Sequence, residues 1–95
     1  TARGARQMIK LYTGPSCSAC TKLKALLEAQ GITTDQYEEA NVNEKAHRAA
    51  VVDLGFRGIP LLVKYDKGTG QLMDTLMGAS YPTGRYKEFF KRDDN

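Results

Sequence analysis

Ninety-five residues, 41% hydrophobic and 26% charged, are expected to make one domain, large enough for a modest core and no more. The formal charge of +3 falls to +1 once Arg3 and Arg6 near the N-terminus are set aside, which excludes a basic face for nucleic acid. No apolar run reaches the length of a bilayer span, so no membrane role is expected. The opening Thr1-Ala2-Arg3-Gly4-Ala5-Arg6-Gln7 lacks the apolar centre of a signal peptide. Residues 1–7 read as a disordered tail or an appended remnant ahead of a natural start at Met8, and residues 8–95 as the domain. Two cysteines without a signal peptide point to a reducing cytoplasm, where such a pair is more often catalytic than structural.

The run Met8-Ile9-Lys10-Leu11-Tyr12 predicts a first strand. Thr13-Gly14-Pro15-Ser16 is a turn. Cys20, Leu23, Leu26 and Leu27 recur at helical spacing and predict a helix from Cys17 to Gln30, closed by Gly31. Lys22, Lys24 and Glu28 read as solvated charges on its other faces. A second, weaker strand is expected within Thr33 to Ala40, favoured by Tyr37 and disfavoured by Glu38-Glu39. Asn43 is the expected N-cap of a second helix, Glu44 to Leu54, whose buried side is expected to comprise Ala46, Ala49, Ala50, Val52 and Leu54. His47 within it reads as a packed or solvated histidine. Leu61-Leu62-Val63-Lys64-Tyr65 predicts a buried strand, and Asp66 to Gly70 turns it into a hairpin partner, Gln71 to Met77. Gly78 to Pro82 breaks that strand. A last helix follows, with Pro82 near its first turn and Tyr86, Phe89 and Phe90 anchoring it. The order is β-α-β-α-β-β-α. A strand–helix–strand start implies a parallel pair, the hairpin makes the sheet mixed, and helices then cover both faces.

The chemistry concentrates in Cys17-Ser18-Ala19-Cys20. Residues three apart share a helix face, so both thiols stand together at the helix start. Free backbone N–H groups and partial positive charge there favour a thiolate, by roughly 0.3–1 kcal/mol, or about 2 when partly buried. The thiolate is the reactive form of cysteine, and a disulfide across two residues is local and easily reversed. The pair reads as a dithiol redox site in which Cys17 attacks and Cys20 resolves. Half a zinc site is the competing reading, but zinc takes four ligands and His47 is the only histidine. Haem attachment needs His after the second Cys, where Thr21 stands. Two structural cysteines would need no Pro15-Ser16 lead-in.

With these elements in place, the stretch from Met8 to about Lys91 resembles the glutaredoxin family. The carriers are Cys-x-x-Cys opening the first helix, an Ile59-Pro60 loop before a strand, a hairpin and a late glycine break. Leu54-Gly55-Phe56-Arg57-Gly58-Ile59-Pro60 and Tyr12-Thr13 are similar to the redoxins that donate electrons to ribonucleotide reductase and are recycled by thioredoxin reductase. The resemblance implies an α/β thioredoxin-like fold, with a four-stranded mixed sheet and helices on both faces. It implies a cytoplasmic, monomeric thiol-disulfide oxidoreductase acting on protein disulfides, with ribonucleotide reductase a candidate substrate. The implied reductant is thioredoxin reductase or glutathione. No cofactor or metal is expected to be bound, and glutathione enters only as a co-substrate. The resemblance also implies a cis Ile59-Pro60 bond; with it the backbone of Ile59, before Pro60, would face Cys17 as a substrate ledge. The Ala79 and Ser80 amides, expected near the start of the last helix, are candidates to hold a carboxylate of glutathione or of a partner's C-terminus. The chain departs from common glutaredoxins at Ser18-Ala19 in place of Pro-Tyr, at Gly14 in place of a basic residue, and at Gly58 in place of Thr. Each departure argues against a glutathione site. Tyr81-Pro82 stands where the reductase-dedicated redoxins carry Arg-Pro. A glutathione-dependent glutaredoxin is the alternative, and a metal or iron–sulfur cluster carrier a more distant one.

Overall fold

In the computed structural model, residues 7–91 are described; the other residues of the expected tail, 1–6, lie outside them. The central strands are those with unbroken apolar runs. In β1 (Gln7–Thr13), Ile9 and Leu11 face one core cluster and Tyr12 faces the other. In β3 (Leu61–Asp66), Leu62 joins the first cluster while Leu61 and Val63 join the second, all three fully buried. Alternation with both faces covered is what makes such strands read as continuous hydrophobic runs.

The sheet order is β2-β1-β3-β4. β1 pairs in parallel with β2 (Glu38–Asn41), and the connection runs through helix α1 (Ser18–Ala29). β3 lies antiparallel on the other side of β1 and forms a hairpin with β4 (Leu72–Met77). Leu23 and Leu27 of α1 and Tyr86, Phe89 and Phe90 of α3 (Thr83–Phe90) cover one face. Val51 of α2 (Lys45–Asp53) covers the other. The α/β architecture, with a mixed four-stranded sheet between helices, is the one expected.

Several boundaries differ from expectation. β1 takes in Gln7, which pairs with Asp66. The weak strand is real but lies at Glu38–Asn41, after a 3₁₀ turn at Thr34–Gln36. Glu38 and Glu39 are tolerated because β2 is an edge strand, where charge is common and wards off further pairing. α2 is capped by Glu44 without a side-chain bond, not by Asn43; Asn43 instead donates its N–H to Asn41 Oδ1. The buried face of α2 is also turned by one residue. Val51 is 4% exposed and Val52 61%, and Ala46 and Ala49 are exposed. The inward stripe is His47, Ala50, Val51 and Leu54, at proper helical spacing. His47 sets its ring edge-on to Tyr12. Burial, with Tyr65 beside it, pushes the Tyr12 phenol up to about 12.

One side chain joins the end of β4 to α3. Gly78 turns the chain with φ of 91°, a conformation that suits glycine. Its carbonyl accepts from the Tyr86 hydroxyl at 2.9 Å, and that hydroxyl accepts from the Tyr81 N–H at 3.3 Å. Tyr86 is fully buried. Tyr86→Phe is expected to cost about 1–3 kcal/mol in urea unfolding, since both backbone partners lose a partly buried bond. A midpoint unchanged from wild type would show that water replaces the hydroxyl.

Candidate active site

The site stands where the C-terminal ends of β1, β2 and β4 meet the start of β3. β1 ends at Thr13, and Gly14-Pro15-Ser16 carry the chain sharply into α1. Ser16 adopts φ of 56°, the left-handed region that non-glycine residues rarely enter. Cys17 follows as the N-cap of α1 in extended conformation, so the helix begins one residue later than expected. Its Sγ accepts the N–H of Cys20 at 3.1 Å, taking the place of a capping oxygen. Cys17 and Cys20 form a disulfide with a Cα separation of 5.3 Å. The two sulfurs are unequal: Cys20 is 2% exposed and packed under the helix, while Cys17 is half-buried and open to solvent.

Ile59 and Pro60 come to this turn from the β3 side. The Ile59-Pro60 peptide is cis, as the resemblance implied. The Pro60 carbonyl accepts the Gly78 N–H at 2.8 Å, which ties the loop to the end of β4. A Cβ built on Gly14 would lie 2.7 Å from Ile59 Cδ1 and 3.3 Å from Val42 Cγ2. Gly14 therefore marks close packing as well as a missing charge: the Ile59 side chain occupies the space beside it. Ala79 follows Gly78 and is 8% exposed, whereas Ser80 points outward. α3 starts only at Thr83, so the Ala79 and Ser80 amides precede the helix and are not part of its first turn.

The β2 side of the turn holds what the sequence did not reveal. An open cavity of about 450 Å³ is lined by Cys17, Cys20, Thr21, Lys24, Glu39 and Asn41, among others. Lys24 Nζ meets Glu39 Oε2 at 2.6 Å, and the Thr13 hydroxyl donates to the same oxygen at 2.8 Å. Lys24 is therefore not a plain solvated charge. Its hydrogen bond holds the Glu39 carboxyl below the usual carboxylate range; partial burial opposes this, and Thr13 assists. One signal was available: Lys24 lies one helical turn beyond Cys20 and two beyond Cys17, on their face. Its partner on β2 could not be read from that spacing. Among the described residues, no group of three His, Cys, Asp or Glu is placed to hold a metal, and no helix is long and apolar enough to cross a membrane.

Comparison with known proteins agrees with this geometry. The glutaredoxin family model matches residues 9–67, more than half of the chain. No curated protein matches it in sequence. Among solved structures, a thioredoxin of Malassezia sympodialis superimposes with a TM-score of 0.66 at 19% identity, over 90% of this chain and 72% of that one. A mutant thioredoxin from Halobacterium salinarum gives 0.63 at 22% identity, over 90% and 72%. Trxlp from Edwardsiella tarda gives 0.68 at 14% identity, over 95% and 86%. At such identities these likenesses speak for the fold alone, which is thioredoxin-like.

Proposed function

Because this chain belongs to the glutaredoxin family and is a thiol–disulfide oxidoreductase, we propose that it reduces protein disulfides by attack of Cys17 and resolution by Cys20. The observation that supports these roles is the unequal exposure of the two sulfurs at the start of α1. In the reduced protein, the Cys17 thiolate attacks one sulfur of a substrate disulfide, and the other substrate sulfur leaves as a thiolate that takes up a proton. The Cys20 sulfur, after losing its proton, attacks Cys17 Sγ. The Cys17–Cys20 disulfide closes and the second substrate sulfur is expelled. The substrate has gained the two electrons that the dithiol has lost. The backbone of Ile59, set by the cis bond to Pro60 beside the Gly14 turn, is the ledge for an extended substrate segment, paired in strand fashion. The Ala79 and Ser80 amides, which no other described residue engages, are the site for a partner's carboxylate.

The reductant in this reading is thioredoxin reductase, the compartment is the cytoplasm, the protein acts as a monomer, and ribonucleotide reductase is a candidate substrate. Gly14 supports the choice of reductant. It supplies no cation for a glutathione carboxylate, and Ile59 fills the adjoining space. One lost charge-assisted hydrogen bond costs about 1.5–3 kcal/mol, roughly tenfold to a hundredfold in affinity. Insulin reduction measured in parallel is expected to run efficiently with thioredoxin reductase and poorly with glutathione plus its reductase. Gly14→Lys, whose Cβ displaces the tip of Ile59 and presses lightly on Val42, is expected to raise the glutathione rate. Robust glutathione turnover in the wild type, indifferent to Gly14→Lys, would favour a glutathione-dependent glutaredoxin instead.

A further inference from the structure

We propose that the Lys24–Glu39 ion pair, anchored by Thr13, sets how readily Cys17 ionises, acting from the β2 side of the site while substrate docks on the β3 side. The inference rests on the reading of Cys17 as the attacking thiol. The pair stands in the wall of the cavity that Cys17 and Cys20 also line. Lysines on open helix faces ordinarily roam, but this one is pinned. A single carboxylate oxygen, Glu39 Oε2, takes both the Lys24 ammonium and the Thr13 hydroxyl. Thr13 is 3% exposed and sits at the last position of β1, at the entry to the Gly14–Cys17 turn. The ammonium is thus fixed relative to the turn that presents Cys17.

The signs of the two charges oppose each other. The Lys24 cation favours a thiolate at Cys17, and the Glu39 anion opposes it while holding the cation in place. Glu39 is a poor proton acceptor because its carboxyl is held down by Lys24, so it serves as a fixed negative charge, not as a base. The other elements around the cysteines bring no ionisable group to this wall. β1 offers the Thr13 hydroxyl, the turn offers Gly14 to Ser16, and β2 adds the neutral Asn41. On the opposite side Ile59, Pro60 and Ala79 are uncharged, and the cation of that loop, Arg57, is exposed and is not part of this wall. The start of α1 supplies its own partial positive charge. Among the described residues, Lys24 and Glu39 are therefore the two full charges in the wall of this cavity, and they weigh oppositely on thiol and thiolate. Both side chains are about two-fifths exposed, so their influence is screened and falls short of the roughly 1–3 units of a direct buried contact. They are positioning residues: they act on Cys17 through the field, without touching substrate.

The test is the ionisation of Cys17 in the reduced 95-residue chain, followed by thiolate ultraviolet absorbance and by the pH dependence of iodoacetamide alkylation. Lys24→Met is expected to raise the apparent pKa of Cys17 by about half a unit or more, and Glu39→Gln to lower it by a similar amount. The double variant is expected to fall between the singles. Both shifts are expected to shrink in about 1 M salt, where the screening length drops to about 3 Å. Superimposable titrations in all variants would overturn the proposal and leave the pair as a tie between α1 and β2; shifts of one sign in both singles would overturn it equally. The titration uses neither reductase nor protein substrate, so it stands or falls separately from the insulin assay.

Discussion

Cys17→Ser is expected to abolish disulfide reduction, whereas Cys20→Ser is expected to arrest the protein as a mixed disulfide with its substrate. The asymmetry follows from where each sulfur lies. Cys17 caps α1, accepts the Cys20 N–H at 3.1 Å, and keeps an open side. A serine hydroxyl there remains protonated at neutral pH and cannot replace the thiolate as nucleophile. Cys20, at 2% exposure, is out of reach of a protein disulfide. It can reach Cys17, with which it already pairs across a Cα distance of 5.3 Å. Without it the first exchange proceeds and the second does not. Insulin turbidity reads the loss of turnover, and intact mass under non-reducing conditions reads the adduct. Turnover by Cys17→Ser, or unhindered cycling by Cys20→Ser, would reverse the assignment of roles.

Phe89→Ala should cost about 3–5 kcal/mol, a large share of the stability of a domain this size. Phe89 is fully buried in the cluster that joins α1 and α3 to the sheet. Its ring packs edge-on to Phe90 at 5.7 Å, and Lys64 Nζ stands 4.8 Å from its centroid. Lys64 is half-buried in that contact, and desolvation lowers its pKa. Truncation removes the ring, opens a cavity and takes away the aromatic face that accompanies the partly buried ammonium. Thermal unfolding should show a midpoint lower by at least about 12 °C. Val52→Ala, on the exposed side of α2, provides the contrast, with an effect within about 0.5 kcal/mol. A Phe89→Ala loss below about 1.5 kcal/mol would mean that α3 is held to the sheet mainly by other contacts.

What the sequence by itself determined is what depends on near neighbours. The apolar runs of β1 and β3, the leucine spacing of α1, the stops at Gly31 and Gly78, and the sharing of one helix face by Cys17 and Cys20 are all properties of a few consecutive residues. Periodicity and turn chemistry report them directly. The tertiary structure decided matters that join distant segments. α2 is rich in small residues, so several of its faces were nearly equal in apolarity, and only its seat on the sheet selected Val51 over Val52. Glu38 and Glu39 entered a strand because β1 supplied a ladder whose outer edge tolerates charge. The bond from Thr13 to Glu39 spans 26 positions, and the register that sets Thr13 against Asn41 brings that carboxylate within reach of Lys24. Gly14 was legible as a missing cation but not as a seat for Ile59, because that contact exists only once β3 has paired with β1. Local spacing placed the two sulfurs together; which charges and which walls surround them was settled by strand order and register, which no local pattern encodes.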